Sequence, residues 1–381
     1  MQRRRDSRPG PGCTARAASR PRCGALASAC AGILLLMALS SAPMAGGRRR
    51  PDGTPGPSAA TSPPARARFL MGTRLSIEID GPVPSRAFED AFDEVARLEE
   101  ILSNWRATSE LSRLNARAAR SEVHCSPDLY RAISVSLEWA EKTGGAFDPT
   151  VEPLVRALGL RPDEERPVHG EDPVAATGPT GRLPIGRRHV RLIPSLRSVR
   201  FDADGVGIDL GGIGKGIALD AAARILAREG VRSALLDFGG QLLAIGRPPG
   251  ADGWPVGIAD PGDRDAPVAA FRVADASLAT SGNGERAVTG PDGPIGHILD
   301  PGSQRPATFG GTTTVVSVEA TSADALSTAL FVMGPERGLS WAEGRDIPVL
   351  YLWRGPDGVL RHGETRAFGA RFAGWSAALG R

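Results

Sequence analysis

Asp209-Leu210-Gly211-Gly212-Ile213-Gly214-Lys215-Gly216-Ile217-Ala218-Leu219-Asp220 is the stretch on which the reading of this chain turns. Just upstream, Val206, Ile208 and Leu210 alternate as a half-buried strand does, and four glycines then follow within six residues. Ile217, Ala221 and Ile225 fall at i, i+4 and i+8, with Ala218, Ala222 and Leu226 beside them, which predicts a helix. Glycines between a strand and a helix let backbone approach a ligand closely, and the free N–H groups of a helix start attract phosphate. The competing reading is a glycine-rich turn carrying a solvated lysine. Only Lys142 and Lys215 are lysines among the 46 Lys+Arg residues, so Lys215 places a rare compact ammonium in this loop.

Spacing excludes two familiar phosphate loops. A P-loop needs glycine at Asp209 and Ser or Thr at Gly216, and a dinucleotide G-x-G-x-x-G starting at Gly212 needs glycine at Ile217.

The 381 residues, 41% of them hydrophobic, suffice for a sizeable core. The net charge of +3 is uneven: residues 1–45 hold seven arginines against Asp6, leaving the remainder at −3. That balance argues against a nucleic-acid partner for the folded part. Residues 1–45 read as an export signal, with Arg3-Arg4-Arg5, an apolar stretch centred on Ile33–Met37, and small residues at Ser40, Ala42 and Ala45. The alternative is an uncleaved N-terminal anchor, for which the apolar core is short. Either way the expected location is the periplasm or the outer face of the cytoplasmic membrane. Cys13, Cys23 and Cys30 lie in this leader, so only Cys125 remains beyond it and no disulfide is expected there.

Residues 46–67 read as a disordered Pro/Gly/Arg linker, with order beginning near Arg68. Strands are expected from Leu75 to Ile79, Ser233 to Phe238, Trp254 to Ile258, Val268 to Val273, Ile295 to Asp300 and Thr312 to Val318. Helices are expected over Ala87 to Trp105, Leu129 to Lys142 and Asp324 to Val332. Thr280-Ser281-Gly282 reads as the start of a tight glycine turn, and residues 161–187 as a polar surface insertion whose His169 is solvated. Irregular mixing of strands and helices predicts an α+β fold with mixed or antiparallel sheets, over residues 68–381.

Several residues invite chemistry. Asp324 and Thr328 share one helix face and offer hard oxygen donors suited to Mg²⁺, although Thr321-Ser322-Ala323-Asp324 also reads as a helix-capping box. His297, before the Asp300-Pro301-Gly302 turn, reads as a general base or as a packed structural histidine. Trp105 offers a stacking face or a core side chain, and Asp148 reads as the start of a turn.

Taken in order, these segments resemble the FAD:protein FMN transferases, the ApbE family. The matching segments are Met71-Gly72-Thr73, Leu102-Ser103-Asn104-Trp105 with Ser109-Glu110-Leu111, Gly144 to Thr150, and Asp209 to Gly216. Gly239-Gly240, Thr280-Ser281-Gly282, His297 to Pro301 and Asp324 to Thr328 complete the set. The resemblance implies an enzyme that binds FAD with Mg²⁺ and transfers FMN to a Ser or Thr hydroxyl of an acceptor protein, with AMP leaving. It implies FAD contacts at Met71, Trp105, Ala146, Phe147, Asp148, Asp209, Lys215 and Leu299. It also implies metal ligation by Asp324, Thr328 and the carbonyl of Gly212, with His297 assisting the incoming hydroxyl. The acceptor would be a membrane redox subunit. The alternatives are an FAD pyrophosphatase, with water as acceptor, and a non-catalytic exported flavin-binding protein. Trp105 stands where the family often has Tyr, Gly284 replaces an aromatic, and Asp237 and Gln241 flank Gly239-Gly240 where Asn and Asp are common.

Overall fold

A computed structural model describes residues 63–160, 182–283, 288–290 and 293–375. The leader, most of the linker and His169 lie outside the described residues. Ten strands matter to the site: β1 (Ala65–Leu70), β2 (Thr73–Ile79), β3 (Ala234–Phe238), β4 (Gln241–Ile245), β5 (Trp254–Asp260), β6 (Asp263–Val273), β7 (Ala276–Gly282), β8 (Gly311–Ser317), β9 (Val349–Arg354) and β10 (Leu360–Glu364). Eight form one sheet in the order β1-β2-β3-β4-β7-β8-β9-β10, and the paired strands are antiparallel. β5 and β6 make a separate hairpin.

The helices are α1 (Ala87–Leu102), α2 (Glu110–Arg117), α3 (Pro127–Lys142), α4 (Glu152–Ala157), α5 (Gly214–Arg228), α6 (Ala320–Glu343) and α7 (Arg366–Arg371). Strand alternation sorts the side chains into two cores. Leu75, Ile77, Leu236 and Phe238 pack with Phe92, Val95, Ala218 and Ala222 of α1 and α5. From the opposite face, Leu235, Leu278, Val316 and Leu350 meet Trp254, Val256 and Phe271 of the hairpin and Phe368 of α7. The sheet is thus buried on both sides, and the α+β expectation holds.

Local differences from the sequence reading have local causes. β1 pairs with β2 from Ala65↔Glu78 onward, so strand structure extends to three residues before Arg68. Val206 to Leu210 is buried but forms no strand. Asn115 of α2 bonds both backbone groups of Ile208, donating to its carbonyl and accepting from its N–H at 2.9 Å each, so a side chain stands where a neighbouring strand would. The first helix stops at Leu102: the Ser103 hydroxyl accepts from the N–H groups of Trp105 and Arg106 and turns the chain out of the helix. Thr280-Ser281-Gly282 ends a strand rather than opening a turn, in register with Thr314, Thr313 and Thr312. Within 161–187, residues 182–187 are described and held: both amide atoms of Gln304 bond the backbone of Leu183 at 3.0 Å.

Candidate active site at two helix starts

The glycine stretch places the start of α5 against the start of α6. Gly216 leaves no room for a side chain, because a Cβ there would lie 2.3 Å from the carbonyl oxygen of Ala320. Gly216 and Asp220 are one turn apart, and both face α6. Asp220 accepts from the N–H groups of Ala320 (2.8 Å) and Thr321 (2.9 Å) and from the Thr321 hydroxyl (2.6 Å). In return, Asp324 of α6 accepts from the N–H of Gly216 at 2.9 Å, and its second oxygen lies 3.3 Å from the Lys215 ammonium. The capping-box reading of Thr321–Asp324 is therefore corrected. α6 has no cap from its own flanking side chain, and Asp324 serves the neighbouring helix.

Asp324 is the buried member of this group, with 5% of its side chain exposed against 29% for Lys215. Its backbone is fixed as well: the Ser327 hydroxyl donates to the Asp324 carbonyl and sits 2.9 Å from the Ser281 hydroxyl on β7. Gln241 of β4 donates to the Ala320 carbonyl at 2.9 Å, holding the same first turn. One turn further along α6, Thr328 faces the glycine loop. A Cβ built on Gly212 would lie 3.1 Å from the Thr328 hydroxyl and 3.2 Å from the Phe147 ring. The loop and helix thus bring a backbone segment, a hydroxyl and a carboxylate to one place, all hard oxygen donors.

Asp209 enters the loop with its carboxylate held by the side-chain amide of Asn104 and by the N–H of Gly211 at 2.6 Å. Next to Asn104, Trp105 is 46% exposed, so the core reading of this tryptophan is overturned and its ring faces solvent. Phe147 is in the main core, and Ala146 packs against it. Asp148 is buried and internally engaged. It accepts from the N–H and hydroxyl of Thr150 at 2.9 and 2.6 Å and from the N–H of Arg187 at 3.1 Å, so the turn-start reading describes its carboxylate.

Met71 occupies the β1–β2 turn with φ +46°, beside Gly72. That turn locks onto the Gly239-Gly240 turn, where a Cβ on Gly239 would lie 2.6 Å from the Thr73 hydroxyl. His297 breaks the strand expected from Ile295 to Asp300. It lies between short strands at Gly293–Ile295 and Leu299–Asp300, and the adjacent Ile298 packs with Ala307 on Phe331 of α6. Asn283 supports this loop by donating to the Ala307 carbonyl at 3.1 Å. Leu299 packs with Leu154, Val155 and Ile185.

Sequence reasoning assigned no role to Asn104, Asp220 or Asn283, although the first two lie in stretches it quoted. Asp220 carried one usable signal, a carboxylate four residues after Gly216 on the same helix face.

With this geometry in place, comparison with known proteins identifies the kind of protein. The ApbE family profile matches residues 71–351. The FAD:protein FMN transferase of Treponema pallidum is 32% identical over 331 residues, covering 81% of this chain and 90% of that protein. An FAD:protein FMN transferase of Klebsiella pneumoniae is 29% identical over 78% of this chain and 87% of its own length. Among solved structures, the ApbE protein of Thermotoga maritima superposes with TM-score 0.72 at 27% identity, covering 82% of this chain and 99% of its own. The Vibrio cholerae flavin transferase ApbE gives 0.71 at 26% identity, covering 81% of this chain and 98% of its own. The fold is that of the solved flavin transferases, and this chain belongs to the ApbE family.

Proposed function

We propose that this chain transfers the FMN moiety of FAD to a Ser or Thr hydroxyl of an acceptor protein, with Mg²⁺ as cofactor and AMP as the leaving group. The acceptor hydroxyl oxygen bonds the phosphorus on the FMN side of the pyrophosphate, and the bridging P–O bond to AMP breaks. Family membership and the relatives' activity support the transfer. The observation that carries the site is the convergence of Gly212, Thr328 and Asp324 at the start of α5.

Those donors fit a hard divalent ion. Asp324 supplies one anionic oxygen, Thr328 a hydroxyl, and Gly212 a carbonyl with no side chain in the way. Among the described residues no group of three or more His, Cys, Asp or Glu side chains forms a metal cage, so substrate phosphate and water would complete the coordination. Bound there, Mg²⁺ supplies charge neutralisation on the pyrophosphate oxygens. Lys215, in the first turn of α5, adds a compact positive charge beside the same phosphates. Trp105 offers an exposed aromatic face to the isoalloxazine ring. His297 takes the proton of the incoming hydroxyl.

The leader-like first 45 residues support an exported enzyme, acting in the periplasm or on the outer face of the membrane on a membrane redox subunit. Incubation with FAD, Mg²⁺ and a candidate acceptor, followed by mass spectrometry, tests the proposal. FMN on an acceptor Ser or Thr with stoichiometric AMP is expected. AMP and free FMN with an unmodified acceptor would point to a pyrophosphatase, and retained intact FAD to a storage protein.

A further inference from the structure

Asp220 lies on α5, and its carboxylate is engaged by three donors, all in the first turn of α6. Two helix starts placed side by side bring two positive dipole ends together, each equivalent to roughly half a charge. Each of these starts receives a carboxylate from the other helix, Asp220 to α6 and Asp324 to α5. The contact is close enough that Gly216 cannot carry a Cβ, so the two helix starts meet backbone to backbone. Gln241 holds the Ala320 carbonyl from the sheet side, leaving Asp220 as the group that fixes the two N–H groups of that turn.

We propose that Asp220 is a positioning residue for the metal site. By capping α6 from α5, it sets the distance at which Asp324 and Thr328 face the Gly211–Gly214 loop. This rests on the reading of those oxygens as a divalent-metal site. Removing the Asp220 carboxylate leaves the amide groups of Ala320 and Thr321 without their acceptor and lets the first turn of α6 fray. Asp324, one turn in, then loses its fixed register against Gly216. The effect falls on metal affinity first, before any loss of the global fold.

The test measures Mn²⁺ binding to the full chain by electron paramagnetic resonance, without FAD, alongside thermal melting. Thr321→Val removes one of the three hydrogen bonds and is expected to weaken Mn²⁺ binding two- to threefold. Asp220→Asn removes the charge and is expected to weaken it about tenfold. Arg354→Ala breaks a pair on the opposite side of the sheet and controls for general destabilisation, because it is expected to lower the melting temperature with unchanged Mn²⁺ affinity. Wild-type affinity in both Thr321→Val and Asp220→Asn, or equal weakening in Arg354→Ala, would overturn the positioning role. Wild-type protein that binds no Mn²⁺ would instead overturn the metal reading beneath it, and the positioning role with it. The two failures are therefore distinguishable.

Discussion

Asp220 and Asp324 each accept hydrogen bonds from the first turn of the helix that carries the other. Through this exchange, a buried carboxylate that does not cap its own helix lies against the N–H groups of a neighbouring helix start. Asp324→Ala is expected to leave a folded protein, since Asp220 still caps α6. FMN transfer should fall by roughly two orders of magnitude or more, because the anionic ligand is gone. Activity measured with saturating FAD and Mg²⁺, alongside circular dichroism, checks both halves. A folded variant with full activity would rule out the metal role.

Two glycines of the loop are expected to respond differently to the same added methyl. At Gly216 the new Cβ would meet backbone, the Ala320 carbonyl oxygen at 2.3 Å, so α5 and α6 must separate. Gly216→Ala should therefore cost about 1–3 kcal/mol of stability as well as activity. At Gly212 the nearest atoms are side chains at 3.1 and 3.2 Å, which can shift by a few tenths of an ångström. Gly212→Ala should thus lose activity with a smaller change in denaturation midpoint. Equal stability losses in the two variants would contradict this assignment of contacts.

Trp105 is a large aromatic side chain left 46% exposed beside Asn104. Trp105→Ala should change stability by less than about 0.5 kcal/mol. It should raise the FAD KM roughly tenfold, in line with about 1–3 kcal/mol for stacking a planar ring on an aromatic side chain. Phe147→Ala is the contrast: its ring is core, and stability should fall by about 3–5 kcal/mol. Chemical denaturation and FAD titration of the two variants separate these roles.

Repetitive features were legible in the sequence. Strand alternation from Leu75 and the helical periods of α1, α3 and α5 were there to read, because burial of one face imposes a period on the side chains. Features made by contact between distant segments were not. The pairing of Asp220 with Ala320 spans 100 residues, and that of Asn104 with Asp209 spans 105. Val206–Leu210 misled for a related reason: alternation reports burial, and here one asparagine of α2 replaces the neighbouring strand that alternation usually implies. The Thr321–Asp324 capping pattern was a sound local signal, outcompeted by a carboxylate from another helix.

Away from the site, Arg354 of β9 grips Asp260 at the end of β5. Burial opposes ionisation of Asp260, but the Arg354 guanidinium and the Gly262 N–H outweigh it and hold the carboxyl below its usual range. A depressed folded-state value means the stabilisation is present above the ordinary carboxylate range and lost as pH falls through the folded value. Arg354→Ala should therefore destabilise at neutral pH by about 1 kcal/mol, since the arginine is half exposed, and the deficit should shrink on acidification. Melting curves from neutral pH into the acid range test this, and a deficit constant with pH would contradict it.

Cys125 is fully buried, and burial, reinforced by Glu110, pushes its thiol up to about 12. The thiolate is therefore suppressed at neutral pH. Iodoacetamide at mildly alkaline pH should leave the peptide containing Cys125 unmodified in the native protein and label it fully in denaturant, as read by peptide mass mapping. Rapid native labelling would contradict the burial.

Whether the α5 and α6 starts together hold a divalent ion on the FAD pyrophosphate can be asked by crystallography. Crystals grown with FAD and Mn²⁺ would give an anomalous difference map. The expected result is one peak within coordination distance of the Gly212 carbonyl, the Thr328 hydroxyl and the Asp324 carboxylate, bridged to phosphate oxygens. Well-ordered FAD with no peak at that position, or with the peak held by other residues, would contradict it.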